Sequence, residues 1–276
     1  MGRGGSASEG CRTQCGSDRR TRAGGDKARC RVVQNLKLIV EYDGTGYHGW
    51  QVQPGLPTIQ GVLQEAVKRI SGEEVSITSA GRTDAGVHAL GQVANFCTRK
   101  EFTPDRWQRA LNGLLPPDIA VCRVEQASTD FEARRSARDK TYRYTILNAP
   151  HPSALERHWL LHIPEPLDLA SMAEAAATLI GEHDFSTFRA ANAESPNAIR
   201  HIYEARFVAE GSRLQFIVTG NGFLKHMIRI MVGTLLDVGR GRLTPEHFRQ
   251  ILDSKDRRRA GKTAPPHGLC LMHVRY

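Results

Sequence analysis

No stretch of the 276-residue chain approaches the run of about 20 apolar residues needed to span a bilayer, so the sequence argues against a membrane protein. The N-terminal segment also lacks the continuous apolar core of a secretory signal, and a cytoplasmic location is expected. Cysteine is sparse. Cys11, Cys15 and Cys30 have no nearby His or fourth Cys to complete a zinc site. Cys97, Cys122 and Cys270 fall singly inside strand-like runs, so unpaired thiols are expected throughout. The glycines of "YDGTGYHGW" (42–50) come without the Lys-Ser/Thr of a P-loop or the spacing of a dinucleotide fingerprint. Asp43, His48, Asp84 and His88 follow no metal-ligand spacing, and no metal is expected. Acidic residues are also in deficit, 29 against 38 Lys and Arg, for a net charge of +9. Such a surplus favours a polyanionic partner, most commonly nucleic acid; on charge alone, a basic soluble protein without one stays open.

Part of the surplus is local. Residues 1–30 hold seven Lys or Arg and three Asp or Glu, +4 of the total. This stretch is rich in Gly, Ser and Arg and nearly devoid of apolar side chains, so it cannot offset its ordering entropy. Residues 1–34 are therefore expected to form a disordered basic tail. Two α/β halves should follow, 35–137 and 138–276.

Hydrophobic periodicity supports that division. A strand is expected at 36–42, then a helix with Ile59, Val62, Leu63, Ala66, Val67 and Ile70 on one face and Thr58 as N-cap. Short strands at 75–78 and 92–97, a helix opened by Thr103-Pro104 and a strand at 118–124 complete a βαββαβ order. The order then recurs. A strand at 141–147 precedes a helix through Leu169, Met172, Ala173, Ala176 and Ile180, closed by Gly181. A hairpin over 201–220 turns near Gly211. A long helix over 223–239, a shorter one capped at Thr244-Pro245 and a strand at 269–276 finish the chain. The expected fold is α+β: two ferredoxin-like or RRM-like βαββαβ halves forming one pseudo-symmetric, mainly antiparallel sheet. Helices should cover one face, with a basic cleft between the halves.

The densest candidate for chemistry is "SAGRTDAGVHALGQ" (79–92). Gly81 and Gly86 permit close approach and positive φ, and Thr83 and Ala85 add little bulk, so a substrate atom can come close to Asp84. Arg82, two residues earlier, suits a phosphate or a base. Tyr142 and Tyr144 share one sheet face, which fits either core packing or stacking on a base. Lys225 and Arg229 lie one helical turn apart on the face away from the apolar stripe, with Gly233 next along. The basic segment 254–268 suits either solvation or RNA phosphates.

These residues carry a resemblance. "AGRTDAGVHALGQV" resembles the signature loop of the tRNA pseudouridine synthase A family. "EYDGTGYHGWQ", "KTYRY", "GEHDFSTFR" and "FLKHMIRIMVG" are similar to its other recurring segments, in the same order over roughly residues 36–276. The resemblance implies an isomerase, an intramolecular transferase that converts uridine to pseudouridine in the anticodon stem-loop of tRNA at positions 38, 39 and 40. It implies Asp84 as catalytic residue, with Arg82 helping to extrude and hold the base. Tyr142 would stack on the uracil, and Arg229 would pair with the aspartate. A homodimer needing neither metal nor organic cofactor is also implied. Ile230 departs from the pattern, where a polar residue is expected. Whether Asp84 acts at C1′, at C2′ or at uracil C6 stays open. The rivals are a non-catalytic RNA-binding protein of tandem RRM-like units, for which "QVANFC" lacks the RNP1 pattern, and a hydrolase using Asp84 without a clear partner acid.

Overall fold

The computed structural model describes residues 33–190 and 197–276; the expected basic tail, with Cys11, Cys15 and Cys30, lies almost wholly outside them. Strand β1 (Gln34–Tyr42) already takes in the last residue assigned to that tail. Helix α1 (Ile59–Ser71), β2 (Thr78–Ser79), β3 (His88–Thr98), α2 (Pro104–Asn112) and β4 (Ile119–Ala127) follow. Then come β5 (Asp139–Asn148), β6 (Leu161–Ile163), α3 (Leu169–Ala177), β7 (Gly181–Asp184), β8 (Ile199–Glu210) and β9 (Arg213–Gly220). Helices α4 (Met227–Gly239) and α5 (Pro245–Asp253) and strand β10 (Leu269–Arg275) close the chain.

The strands form one sheet in the order β4-β1-β3-β10-β5-β9-β8-β7, with β2 added to β3 and β6 to β5. The path β4-β1-β3-β2 repeats as β10-β5-β9-β8, which gives the two βαββαβ units their common strand order. The units join edge to edge where β3 runs parallel to β10, pairing His88 with Cys270 and Ala89 with Leu271. Apart from β5 with β6, the other paired strands are antiparallel. The expected α+β class, with a mixed and mainly antiparallel sheet, is the observed one.

Alternation decides which face is covered. Leu36, Leu38, Val40 and Tyr42 of β1, with Tyr142, Tyr144 and Ile146 of β5, share one continuous core with the buried stripes of the helices. The opposite face carries a small cluster, Ala80, Val93 and Ala133, against which Ile39, Phe131 and Tyr276 pack. Farther along that face, Arg143, Arg206 and Arg275 line an open groove of about 400 Å³. Among the described residues no helix is long and apolar enough to cross a membrane.

Helix starts follow their capping chemistry. Thr58, Thr103 and Thr244 each accept a backbone N–H from the first turn, at Gly61, Arg106 and His247. Four local expectations fail. The strand expected at 75–78 shrinks to Thr78–Ser79, because residues 75–77 run beside α1, where Gln64 and Gln60 donate to the carbonyls of Val75 and Ile77. Gly181 does not close α3, which ends at Thr178; with φ +111 it opens β7 instead. The long helix begins at Met227 rather than at 223, since His226 sits in the left-handed region with φ 61. Lys225 therefore precedes the helix, exposed, and does not share a helical face with Arg229.

Candidate active site

The loop bearing Asp84 fills the interval between β2 and β3, residues 80–87, at the seam between the two units. Its shape is fixed from below by the segment that follows β1. Trp50 N–H donates to the Thr83 carbonyl at 3.0 Å, and Gly86 N–H donates to that of Tyr47 at 3.3 Å. The Tyr42 and Thr83 hydroxyls meet at 2.8 Å, and the Gly44 N–H donates to His88 Nδ1. Gly49 makes this approach feasible: its φ is +89, and an added Cβ would lie 2.6 Å from the Thr83 carbonyl oxygen. The glycines of "YDGTGYHGW" thus serve as the floor of the Asp84 loop. Gly86 adopts positive φ as expected, at 76, whereas Gly81 does not.

From the other unit comes Arg229, on the first turn of α4. Its Nη1 donates to Asp84 Oδ2 at 3.0 Å across 145 residues of chain. Its Nε donates to the Ala264 carbonyl at 2.8 Å, while the Ala264 N–H returns a bond to the Arg229 carbonyl at 2.9 Å. Backbone on one edge and a carboxylate on the other hold the planar guanidinium in a fixed orientation, a task its fork geometry suits. The side chain is 13 % exposed, so it does not lie on a solvated helix face. Ile230, the departure from the expected pattern, points into the core at 1 % exposure and leaves Arg229 undisturbed.

Residues 264–268 act as a strap over this contact. Tyr144 donates its hydroxyl to the Pro265 carbonyl at 2.8 Å, and His88 Nε2 lies 3.2 Å from that of His267. The distal part of the 254–268 segment is scaffolding rather than a freely solvated loop.

Asp84 remains reachable. Its side chain is 24 % exposed, and both of its ionic contacts fall on Oδ2, from Arg229 and from His226 Nε2 at 3.6 Å. Tyr142 lies beneath, its ring edge-on to Phe223 at 5.1 Å between centroids. Burial pushes the Tyr142 phenol above its ordinary range, and the nearby Tyr42 and Asp84 add to the effect, so it keeps its proton. Arg82 is exposed on the same loop as Asp84. Lys140, beside Gly81, is held below the ordinary lysine range by burial and by the Arg134 and Arg200 guanidinium groups.

Three features escaped the sequence. His226 stands three residues before Arg229, and nothing local marks its left-handed backbone. The Ala264 carbonyl is a main-chain group with no sequence signature. The supporting role of Gly49 depends on a contact between distant segments.

The model of a family described as tRNA pseudouridine synthase matches residues 38–134 and 175–276. The tRNA pseudouridine synthase A of Acetivibrio thermocellus is 46 % identical over 244 residues, covering 88 % of this chain and all of the relative. That of Moorella thermoacetica is 48 % identical over 243 residues, covering 87 % of this chain and 99 % of the relative. The Myxococcus xanthus protein of the same description is 48 % identical over 247 residues, 88 % of this chain and 92 % of the relative. The chain belongs to the tRNA pseudouridine synthase A family.

Proposed function

We propose that this protein isomerises uridine to pseudouridine in tRNA, acting on the anticodon stem-loop at positions 38, 39 and 40. Units 35–137 and 138–276 cooperate within each chain, and two copies of the chain form a homodimer that needs neither metal nor organic cofactor. Asp84 is the catalytic residue. The observation that carries this reading is the 3.0 Å contact between Asp84 of the first unit and Arg229 of the second, in a chain of this family.

The chemistry suits the site. Uridine must break its C1′–N1 bond, turn over and rejoin C1′ through C5, and the product is an isomer of the substrate. A carboxylate can trap or stabilise an electron-poor sugar, as in glycosidases; removal of a C2′ proton or attack at C6 are the other routes. Arg229 fixes Oδ2, and among the described residues Oδ1 has no hydrogen-bond partner, so that oxygen is available to the substrate. The base must leave the helical stack to reach Asp84. Small residues leave room for it, Arg82 holds the extruded nucleotide, and Tyr142 offers a ring fixed by Phe223 for stacking.

The test is incubation of the purified protein with an unmodified tRNA transcript and no added cofactor, followed by chemical adduct mapping of pseudouridine. Modified uridines should appear in the anticodon arm. Binding without modification would instead favour the RNA-binding alternative.

A further inference from the structure

Isomerisation at uracil makes a second demand that the Asp84–Arg229 pair does not meet. When C5 bonds to C1′, the electron pair comes from the C5=C6 bond of the ring, and C5 then holds both the sugar and its hydrogen. That proton must leave C5, its bonding electrons restoring C5=C6. The nitrogen freed in the first step must gain a proton. Some group has to accept at one atom and supply at the other, whichever first step Asp84 takes.

The groups already described are unsuited to this task. A guanidinium stays protonated in proteins, which removes Arg229 and Arg82. The buried Tyr142 phenol keeps its proton. Asp84 is engaged with the sugar or with C6. Of the groups in ionic contact with Asp84 among the described residues, His226 is the one able to accept a proton.

We infer that His226 is the general base that takes the proton from C5 and returns it to the freed ring nitrogen. This rests on the pseudouridine-forming reading above. Its Nε2 lies 3.6 Å from Asp84 Oδ2, so a ring atom bonded to the sugar carbon that Asp84 addresses falls within reach of the imidazole. The side chain is 31 % exposed. Its backbone has φ 61, a left-handed conformation uncommon for residues other than glycine. His226 occupies the N-cap position of α4 yet makes no side-chain cap bond. The left-handed turn instead sets the imidazole beside the carboxylate.

The electrostatics agree. Burial holds His226 below the ordinary histidine range; Asp84 opposes the shift, while Arg229, Lys225 and Arg257 reinforce it. The imidazole is therefore neutral at pH 7 and able to accept. A weak base suffices, because loss of the C5 proton restores the conjugated ring.

Enzyme and substrate end with the protons they began with. His226→Asn tests the idea, since asparagine tolerates the left-handed backbone but does not titrate in this range. With wild-type protein, tRNA deuterated at uridine C5 should react as fast as ordinary tRNA. In His226→Asn, kcat should fall about 100-fold, tRNA affinity should hold, and a primary isotope effect at C5 should emerge. An unchanged kcat, or a loss without an isotope effect, would overturn the inference and leave the functional reading intact. Failure of the wild-type protein to form pseudouridine would end both. Should the variant fold poorly, the wild-type pH profile decides. As falling pH protonates the imidazole, the C5 step must become limiting, so kcat must decline and the C5 isotope effect must emerge; a decline without that isotope effect contradicts the assignment.

Discussion

The two βαββαβ units treat the same hairpin in opposite ways. In the second unit β8 and β9 pair from Ile202↔Gly220 down to Glu210↔Arg213, leaving residues 211 and 212 as the turn. In the first, β2 and β3 pair only at Thr78↔Asn95 and Ser79↔Ala94, and residues 80–87 are released as the Asp84 loop. The closed hairpin completes its ladder; the opened one carries Asp84, the proposed catalytic residue. The loop's lost ladder bonds are replaced from elsewhere, by Trp50 N–H on the Thr83 carbonyl and by the Tyr42 hydroxyl on Thr83. The Asp84 loop thus lies where one copy of a repeated topology gives up pairing and borrows support from its surroundings.

The units also differ in their second helix. Helix α2 buries Trp107 and Leu111 and leaves its other side to solvent. Helix α4 is buried nearly all round, under α3, α5 and the 264–268 strap. Arg229 is positioned by that enclosure, which has no counterpart in the first unit.

This contrast can be broken at graded cost. The largest effect is expected for Asp84→Asn, which should lower turnover by ~10³-fold or more with tRNA affinity held within a few-fold, read by single-turnover assay and filter binding. Arg229→Lys keeps a charge but cannot serve both Asp84 and the Ala264 carbonyl. Its kcat should drop about 10²-fold, with a smaller change in KM. Gly49→Ala attacks the floor of the opened hairpin, where the new Cβ would meet the Thr83 carbonyl at a backbone conformation alanine avoids. A stability loss of about 1–3 kcal/mol by denaturant melting, together with reduced turnover, is expected. Gly211→Ala strikes the closed hairpin, where φ is 60 but no atom lies within 4 Å of the added Cβ. It should cost about 1 kcal/mol and leave turnover untouched. A Gly211 variant as inactive as the Gly49 variant would erase the distinction between the hairpins.

Much of the fold was legible because its signals are local. Thr58, Thr103 and Thr244 announce helix starts through their own hydroxyls, and Gly211 announces a turn through its backbone freedom. Asp84, Arg229 and Tyr142 were legible as candidates through the motifs they stand in. The unread features depend on contacts between distant segments. The shortening of β2 reflects glutamines of α1 bonding the carbonyls of 75 and 77. The late start of α4 reflects the left-handed backbone of His226, whose ring lies 3.6 Å from Asp84. The strap acts largely through main-chain groups, Ala264 O on Arg229 and Pro265 O on Tyr144, which no side-chain pattern reveals.

The sheet has two faces, and a substrate that reaches Asp84 occupies one of them. Tyr142 and Asp84 lie at the seam on the helix side, while Arg143, Arg206 and Arg275 line the groove on the other. Photo-crosslinking tells them apart. A tRNA carrying 4-thiouridine at a target position of the anticodon arm is bound to the Asp84→Asn protein, irradiated, and the attached peptide identified. Attachment within residues 79–92 or at Tyr142 and its helix-side neighbours is expected. Attachment confined to Arg206, Arg275 or other residues of the open groove would contradict that expectation.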